Sequence, residues 1–194
     1  MPADPHHDSP GRLVLICGGM FAGKTARLIE RLAAAQAAGR RVVACKHELD
    51  RRYDPKLLTT HDGRQFPAVA IASAAHILRE AAHTEVLGID EAQFFGRTLV
   101  RVCWEFHAVG CTVLVAGIDH DAWGQPFPPL PQLLDLADEV ERMEAPCTVC
   151  GRPAPFSQRM VPVVAGQMVG GPGEYEPRCA AHFQPLPPPA PVYD

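Results

Sequence analysis

The sequence predicts an α/β fold, a parallel sheet flanked by helices, followed by a small metal-tied lobe. Three observations predict it. Arg12-Leu-Val-Leu-Ile-Cys17 is a short apolar run that stops at Gly18-Gly19. Further apolar runs at 41–45, 86–90 and 112–117 alternate with segments of helical period. Near the C-terminus, Cys147-x-x-Cys150 and Cys179-x-x-His182 repeat one short spacing with metal-binding residue types.

Each element follows in order. The first run reads as a buried parallel strand entering a glycine turn. Residues 25–38 then read as a helix, because Leu28, Ile29, Leu32 and Ala33 share a face and Gly39 supplies a C-terminal stop. Strands follow at 41–45, 86–90 and 112–117, with helices at 74–82 and 98–109 between them. Ligands of such sheets sit beyond the carboxyl ends of the strands, where Gly18, Asp90 and Asp119 all fall. Past Gly124 the alternation fades into Pro126, Pro128, Pro129 and Pro131. The expected organisation is a polar tail over 1–10, an α/β domain over 11–145, a metal lobe over 146–183 and a proline-rich tail over 184–194.

Composition narrows the function classes. Of 194 residues, 47% are hydrophobic, enough for one main core. Eighteen basic against 22 acidic side chains give a formal charge of −4, which argues against a dedicated nucleic-acid binder. No apolar run is long enough to span a bilayer, and the polar first ten residues lack the apolar centre of a signal peptide, so a cytoplasmic location is expected. Seven cysteines do not make a disulfide framework. Cys17, Cys45, Cys103 and Cys111 lie in or beside apolar segments and read as small buried hydrophobes.

Gly18-Gly19-Met20-Phe21-Ala22-Gly23-Lys24-Thr25 fits G-x-x-x-x-G-K-[ST] without a mismatch, between a predicted strand and a predicted helix. This is the P-loop pattern of an ATP site. Its glycines let backbone N–H groups close around phosphate, the helix offers its positive N-terminus, and Lys24 adds a point charge. Thr25 and Asp90, the latter ending an apolar strand, are the expected Mg²⁺ ligands. Glu91 beside Asp90 is a carboxylate left over for general-base work. It serves equally to activate water in an ATPase, and the motif alone leaves both readings open.

From Asp90-Glu-Ala-Gln-Phe-Phe95 the chain resembles the zinc-containing thymidine kinases, whose phosphate loop also carries Met-Phe as in Met20-Phe21. Further matches follow in the same order: Asp50-Arg-Arg-Tyr53, Thr60-His-Asp-Gly63, Gly117-Ile-Asp119 leading to Pro126-Phe127, Ala137-Asp-Glu-Val140, Cys147-x-x-Cys150-Gly151, Phe156-Ser-Gln-Arg159, and Val169-Gly-Gly171 with Tyr175. They cover about residues 12–183. The resemblance implies a thymidine kinase of ATP, acting on thymidine and on deoxyuridine, with Glu91 as the catalytic base. It places Gly18 to Thr25, Asp90 and Gln93 at ATP. It places Met20, Arg52, Phe94, Phe127, Arg159, Val169, Gly170 and Tyr175 around the nucleoside, with a glycine-rich lasso-like loop reading the base edge. It also implies a homotetramer inhibited by dTTP. Ala122 and Trp123 depart from the family pattern, so no contact is carried over to them.

Cys147, Cys150, Cys179 and His182 have the types and spacings of a tetrahedral Cys₃His site with no open position, hence a structural Zn²⁺ at the base of the lasso. Arg152, Arg159 and Arg178 make no basic stripe that would turn this lobe towards nucleic acid. A zinc-stabilised nucleotide-binding module without turnover is the remaining alternative.

Overall fold

The computed structural model describes residues 11–50, 54–163 and 170–187. The expectations placed on the N-terminal tail, Arg52, Val169 and the last seven residues lie outside them.

In chain order the main body runs β1 (Arg12–Cys17), α1 (Lys24–Ala37), β2 (Val42–His47), β3 (Leu57–Thr59), β4 (Gln65–Pro67), β5 (Val69–Ile71), α2 (Ala74–Glu80), β6 (Val86–Ile89), a 3₁₀ turn (Ala92–Phe95), α3 (Thr98–Ala108), β7 (Thr112–Gly117), α4 (Leu130–Leu136) and β8 (Glu139–Arg142). Six of the strands form one parallel sheet in the order β5-β2-β6-β7-β1-β8. β3 and β4 form a separate antiparallel hairpin. Because all sheet strands run one way, the residues following β1, β6 and β7 emerge at the same edge.

The period-two alternation of β1 divides the core. Leu13, Leu15 and Cys17 face a layer built on α2, α3 and α4 with Ile77, Leu99, Val102, Phe106, Leu130 and Leu133. Val14 and Ile16 face α1, through Leu28, Ile29 and Leu32, and the hairpin residues Leu58 and Phe66. Burial of both faces explains why these strands read as continuous apolar runs. The spacing between α1 and the sheet is set at Gly88, where a Cβ would lie 2.8 Å from both methyl carbons of Leu32.

The predicted strands and helices are all present, with ends displaced by up to two residues. The β3–β4 hairpin, β5, the 3₁₀ turn, α4 and β8 were not expected. β8 reads Glu-Val-Glu-Arg, which has no apolar run, because it is an edge strand whose Glu139 and Glu141 turn towards Arg12, Arg27 and Arg31. β5 has only three residues at the opposite edge. α4 begins among prolines, which the first helical turn accepts because its amide hydrogens have no intrahelical partner. The four cysteines of this body are buried, and burial pushes the thiols of Cys45 and Cys103 up to about 12 and that of Cys111 to about 11. They pack as hydrophobes.

The lobe that follows consists of two small antiparallel pairs, β9 (Ala145–Pro146) with β10 (Pro153–Ala154), and β11 (Phe156–Arg159) with β12 (Tyr175–Arg178). Among the described residues no helix is long and apolar enough to cross a membrane.

Gly88→Ala tests the α1 contact. The added methyl must push Leu32 aside, so we expect a loss of about 1–3 kcal/mol in denaturant unfolding. Combined with Leu32→Ala, the loss should be less than the sum of the single effects.

Candidate active site

The loop from Gly18 to Gly23 leaves the carboxyl end of β1 and enters α1 at Lys24. Its first residue cannot carry a side chain: Gly18 has φ 143°, and a Cβ there would lie 2.0 Å from the Met143 carbonyl oxygen. The far side of the loop meets the lobe, because the buried Ser157 hydroxyl accepts the Met20 N–H at 2.8 Å. Phe21 (φ 64°) and Gly23 (φ 83°) take left-handed conformations, turning the chain onto the first turn of α1. That N-terminus carries positive partial charge and no acidic side chain, so it favours an anion. Lys24 Nζ donates to the Gly19 carbonyl at 2.6 Å, which folds the ammonium back over the loop.

Thr25 Oγ1 donates to Asp90 Oδ2 at 2.9 Å. Two hard oxygens at this separation match neighbouring ligands of octahedral Mg²⁺, whose bonds of about 2.1 Å place adjacent oxygens about 2.9 Å apart. Asp90 follows β6, is buried, and accepts the Glu91 N–H on its other oxygen at 3.0 Å. Glu91 stands at φ 55°, ψ 45°, a left-handed conformation that costs a non-glycine residue on the order of 1 kcal/mol. Its carboxylate is held by Gln93 Nε2 at 2.5 Å, while Gln93 Oε1 accepts the Ile118 N–H at 3.1 Å.

Two cavities meet here. One, of about 240 Å³, is lined by Met20, Phe21, Gly23, Lys24 and Thr25 of the loop, without Gly18, Gly19 and Ala22, and has Asp50, His61, Arg64, Asp90 and Glu91 among its polar walls. The other, of about 290 Å³, presents a mostly apolar surface from Met20, Ile118, Ala122, Trp123, Phe127 and Tyr175. Met20 and Ile118 belong to both. Their neighbourhood is the seam between a polar and an apolar compartment.

The sequence-predicted residues divide accordingly. Gly23, Lys24, Thr25, Asp90 and Glu91 are brought together at the polar cavity, and Met20, Phe127 and Tyr175 at the apolar one. Gly170 packs against Tyr175, since a Cβ on it would stand 3.0 Å from the ring. Phe94 is outside both linings, with its ring 6.0 Å from that of His47. Arg159 is buried beneath Tyr175, donating to its hydroxyl at 2.9 Å and to the Pro162 carbonyl at 3.4 Å. Gln93 is buried behind Glu91 and is absent from the polar cavity's lining.

Ile118, Ser157, Ala122 and Trp123 were missed as site residues. Ile118 and Ser157 sit inside matched segments and were legible only as neighbours of better-marked residues. Ala122 and Trp123 stand out only as departures. Trp123 is turned by its indole N–H, which donates to the Pro187 carbonyl at 2.9 Å.

Cys147, Cys150, Cys179 and His182 converge, with all ligand atoms within 4.8 Å of one another. Cys150 Sγ lies 3.7 Å from Cys179 Sγ, and His182 Nδ1 lies 3.7 Å from Cys147 Sγ and 3.3 Å from Cys179 Sγ. A tetrahedral ion with Zn–S bonds of about 2.3 Å holds its sulfurs about 3.8 Å apart, so the cluster can hold zinc. Burial alone would raise the Cys147 thiol. The backbone amides of Cys179, Val149 and Cys150, together with His182, outweigh it and bring the thiol down to about 5. Arg152, donating to Cys150 Sγ at 3.5 Å, lowers that thiol too.

A family model described as thymidine kinase matches residues 11–183. The chain belongs to the thymidine kinase family. It is 43% identical over 189 residues to the thymidine kinase of Rhodothermus sp. (strain ITI 518), covering 95% of this chain and 89% of that one. The thymidine kinase of Bacteroides thetaiotaomicron is 43% identical over 169 residues, 87% of this chain and 85% of its own. That of Bdellovibrio bacteriovorus is 38% identical over 176 residues, with 90% and 86% covered. The matched region spans the sheet, both cavities and the Cys/His cluster.

The thiol of Cys147 gives a pH test in metal-stripped protein. Its folded value of about 5 lies below its ordinary 9.0, so folding favours the thiolate. That stabilisation is complete above pH 9 and is lost as pH falls through 5. Hydrogen-exchange protection over residues 145–163 and 170–186 should therefore decline across this window in chelator-treated protein, and Cys147→Ser should flatten the decline.

Proposed function

We propose that this chain transfers the γ-phosphoryl group of ATP to the 5′-hydroxyl of thymidine, and of deoxyuridine, giving the nucleoside monophosphate and ADP for nucleoside salvage. The carrying observation is the pairing of an anion-ready polar cavity with a mostly apolar one, joined at Met20 and Ile118. A flat pyrimidine suits the apolar compartment and phosphates suit the polar one, so the seam is where a 5′-oxygen meets a γ-phosphorus. A water-activating ATPase has no use for the second compartment.

In this reading Lys24, the N-terminus of α1 and the amides of the phosphate loop receive the phosphates. Thr25 and Asp90 hold Mg²⁺, which supplies charge neutralisation at the phosphate oxygens when bound. Glu91 accepts the proton of the 5′-hydroxyl as that oxygen forms its bond to phosphorus and the bond to ADP breaks. Met20, Phe127 and Tyr175 enclose the base, with Gly170 letting the lasso approach it. Arg159 acts through Tyr175. Cys147, Cys150, Cys179 and His182 hold a structural zinc. The same reading divides the chain into a phosphate-binding domain over 11–145 and a zinc lobe over 146–183. It also takes the enzyme as a cytoplasmic homotetramer restrained by dTTP, which enters the nucleoside pocket with its phosphates towards the ATP site.

A coupled ADP-release assay with MgATP, with and without thymidine, tests the reading. Thymidine-dependent release yielding thymidine monophosphate is expected, and Glu91→Gln should lower it by about 10²–10⁴-fold while MgATP still binds. Release indifferent to thymidine would refute the kinase.

A further inference from the structure

We propose that Gln93 is the positioning residue of the catalytic base, a fixed bridge between Glu91 and the Ile118 backbone, and not a contact of the nucleotide. The inference rests on Glu91 being that base. It begins with an orientation that is otherwise ambiguous, since the oxygen and nitrogen of an amide differ little in shape. Here the partners decide it. The Ile118 N–H has only a hydrogen to offer, so Gln93 must present Oε1 to it, and the distance is 3.1 Å. Nε2 is thereby directed to Glu91 Oε2, 2.5 Å away, and a carboxylate can only accept from it.

Burial makes the bridge consequential. Gln93 is 6% exposed, on the 3₁₀ turn whose Ala92 and Phe95 belong to the core. Neither end of its amide is left to solvent exchange. Glu91 precedes that turn in a left-handed conformation, so its backbone does not draw on an ordinary helical or extended minimum. Hydrogen bonds at both ends of Gln93 tie the carboxylate to Ile118, which lines both cavities. A general base acts only when its oxygen is held within hydrogen-bond reach of the proton it removes. Gln93 supplies that registration from the side of the apolar cavity, where the substrate hydroxyl must arrive.

Gln93→Leu and Gln93→Met test this, read by kcat, KM for ATP and direct MgATP titration. We expect kcat to fall by about 10–100-fold, part of the total that a general base contributes. KM and binding of ATP should stay within about twofold. If Gln93→Leu unfolds, Gln93→Met, which keeps the length of the side chain without a donor, is judged alone by the same criteria. ATP binding weakened tenfold or more would make Gln93 a nucleotide contact and overturn the proposal. Retention of kcat within twofold would overturn it as well. Those outcomes leave the kinase reading intact, and undiminished thymidine turnover in Glu91→Gln would remove Glu91 as the base, and with it the role of Gln93, while transfer to thymidine still stands.

Discussion

The site depends on the close passage of two backbones at the end of β1. Gly18 lies against the Met143 carbonyl with no room for a Cβ, and Met143 N–H in turn donates to the Cys17 carbonyl at 2.7 Å. This contact joins the start of the phosphate loop to the chain leaving β8, which is about to enter the lobe. Two residues further on, Ser157 of the lobe receives the Met20 amide. The loop is thus clamped between sheet and lobe, and a clamped loop holds its remaining amides in place before any anion arrives. Electrostatic stabilisation gains from this because no reorganisation is needed when charge develops.

The clamp also determines how the two compartments share a wall. Met20 donates its amide to the lobe while its side chain packs with Ala122 and Tyr175. The residue that fixes the phosphate loop therefore also floors the apolar cavity. On the other side, Ile118 leaves β7, contributes its side chain to both cavities, and gives its amide to Gln93. The chemistry falls where strand ends of one parallel sheet deliver a phosphate loop, a carboxylate pair and an apolar wall within reach of one another.

Much of this was legible because the signals were local. The phosphate loop, the Asp-Glu pair and the paired Cys/His spacings each carry their geometry in a few adjacent residues. Buried strands with both faces covered declare themselves as apolar runs. β8 did not, because its glutamates are offset by arginines from α1 and β1 that sequence does not place beside it. Phe94 and Arg159 show the reverse limit. A motif match indicates that a residue is near a site, but which way its side chain turns depends on tertiary neighbours: His47 for Phe94, and the Tyr175 hydroxyl for Arg159. Gln93 sits in the best-marked segment of the chain, and only the distances to Glu91 and Ile118 indicate whether it serves nucleotide or base.

The lobe raises a question of stability that its composition answers. Its own apolar cluster consists of Cys147, Ala154 and Cys179, too little buried surface to order a segment of some forty residues by the hydrophobic effect alone. Its strands are two to four residues long, below what a free hairpin needs in water. The cohesion must come from elsewhere. Four atoms able to ligate a metal gather beside β9, β10 and β12, and an ion bound there would supply one source, since ion binding that requires the folded arrangement is itself folding free energy. The Ser157 and Tyr175 contacts with the phosphate loop supply another. Each would stabilise the other: a lobe held by metal would present Ser157 to Met20 and Tyr175 to the apolar cavity, and a loop held by Ser157 gives the lobe a surface on which to rest. With zinc bound as proposed, its removal would therefore reach the apolar cavity through the lobe while leaving the sheet, whose core is independent of it, in place.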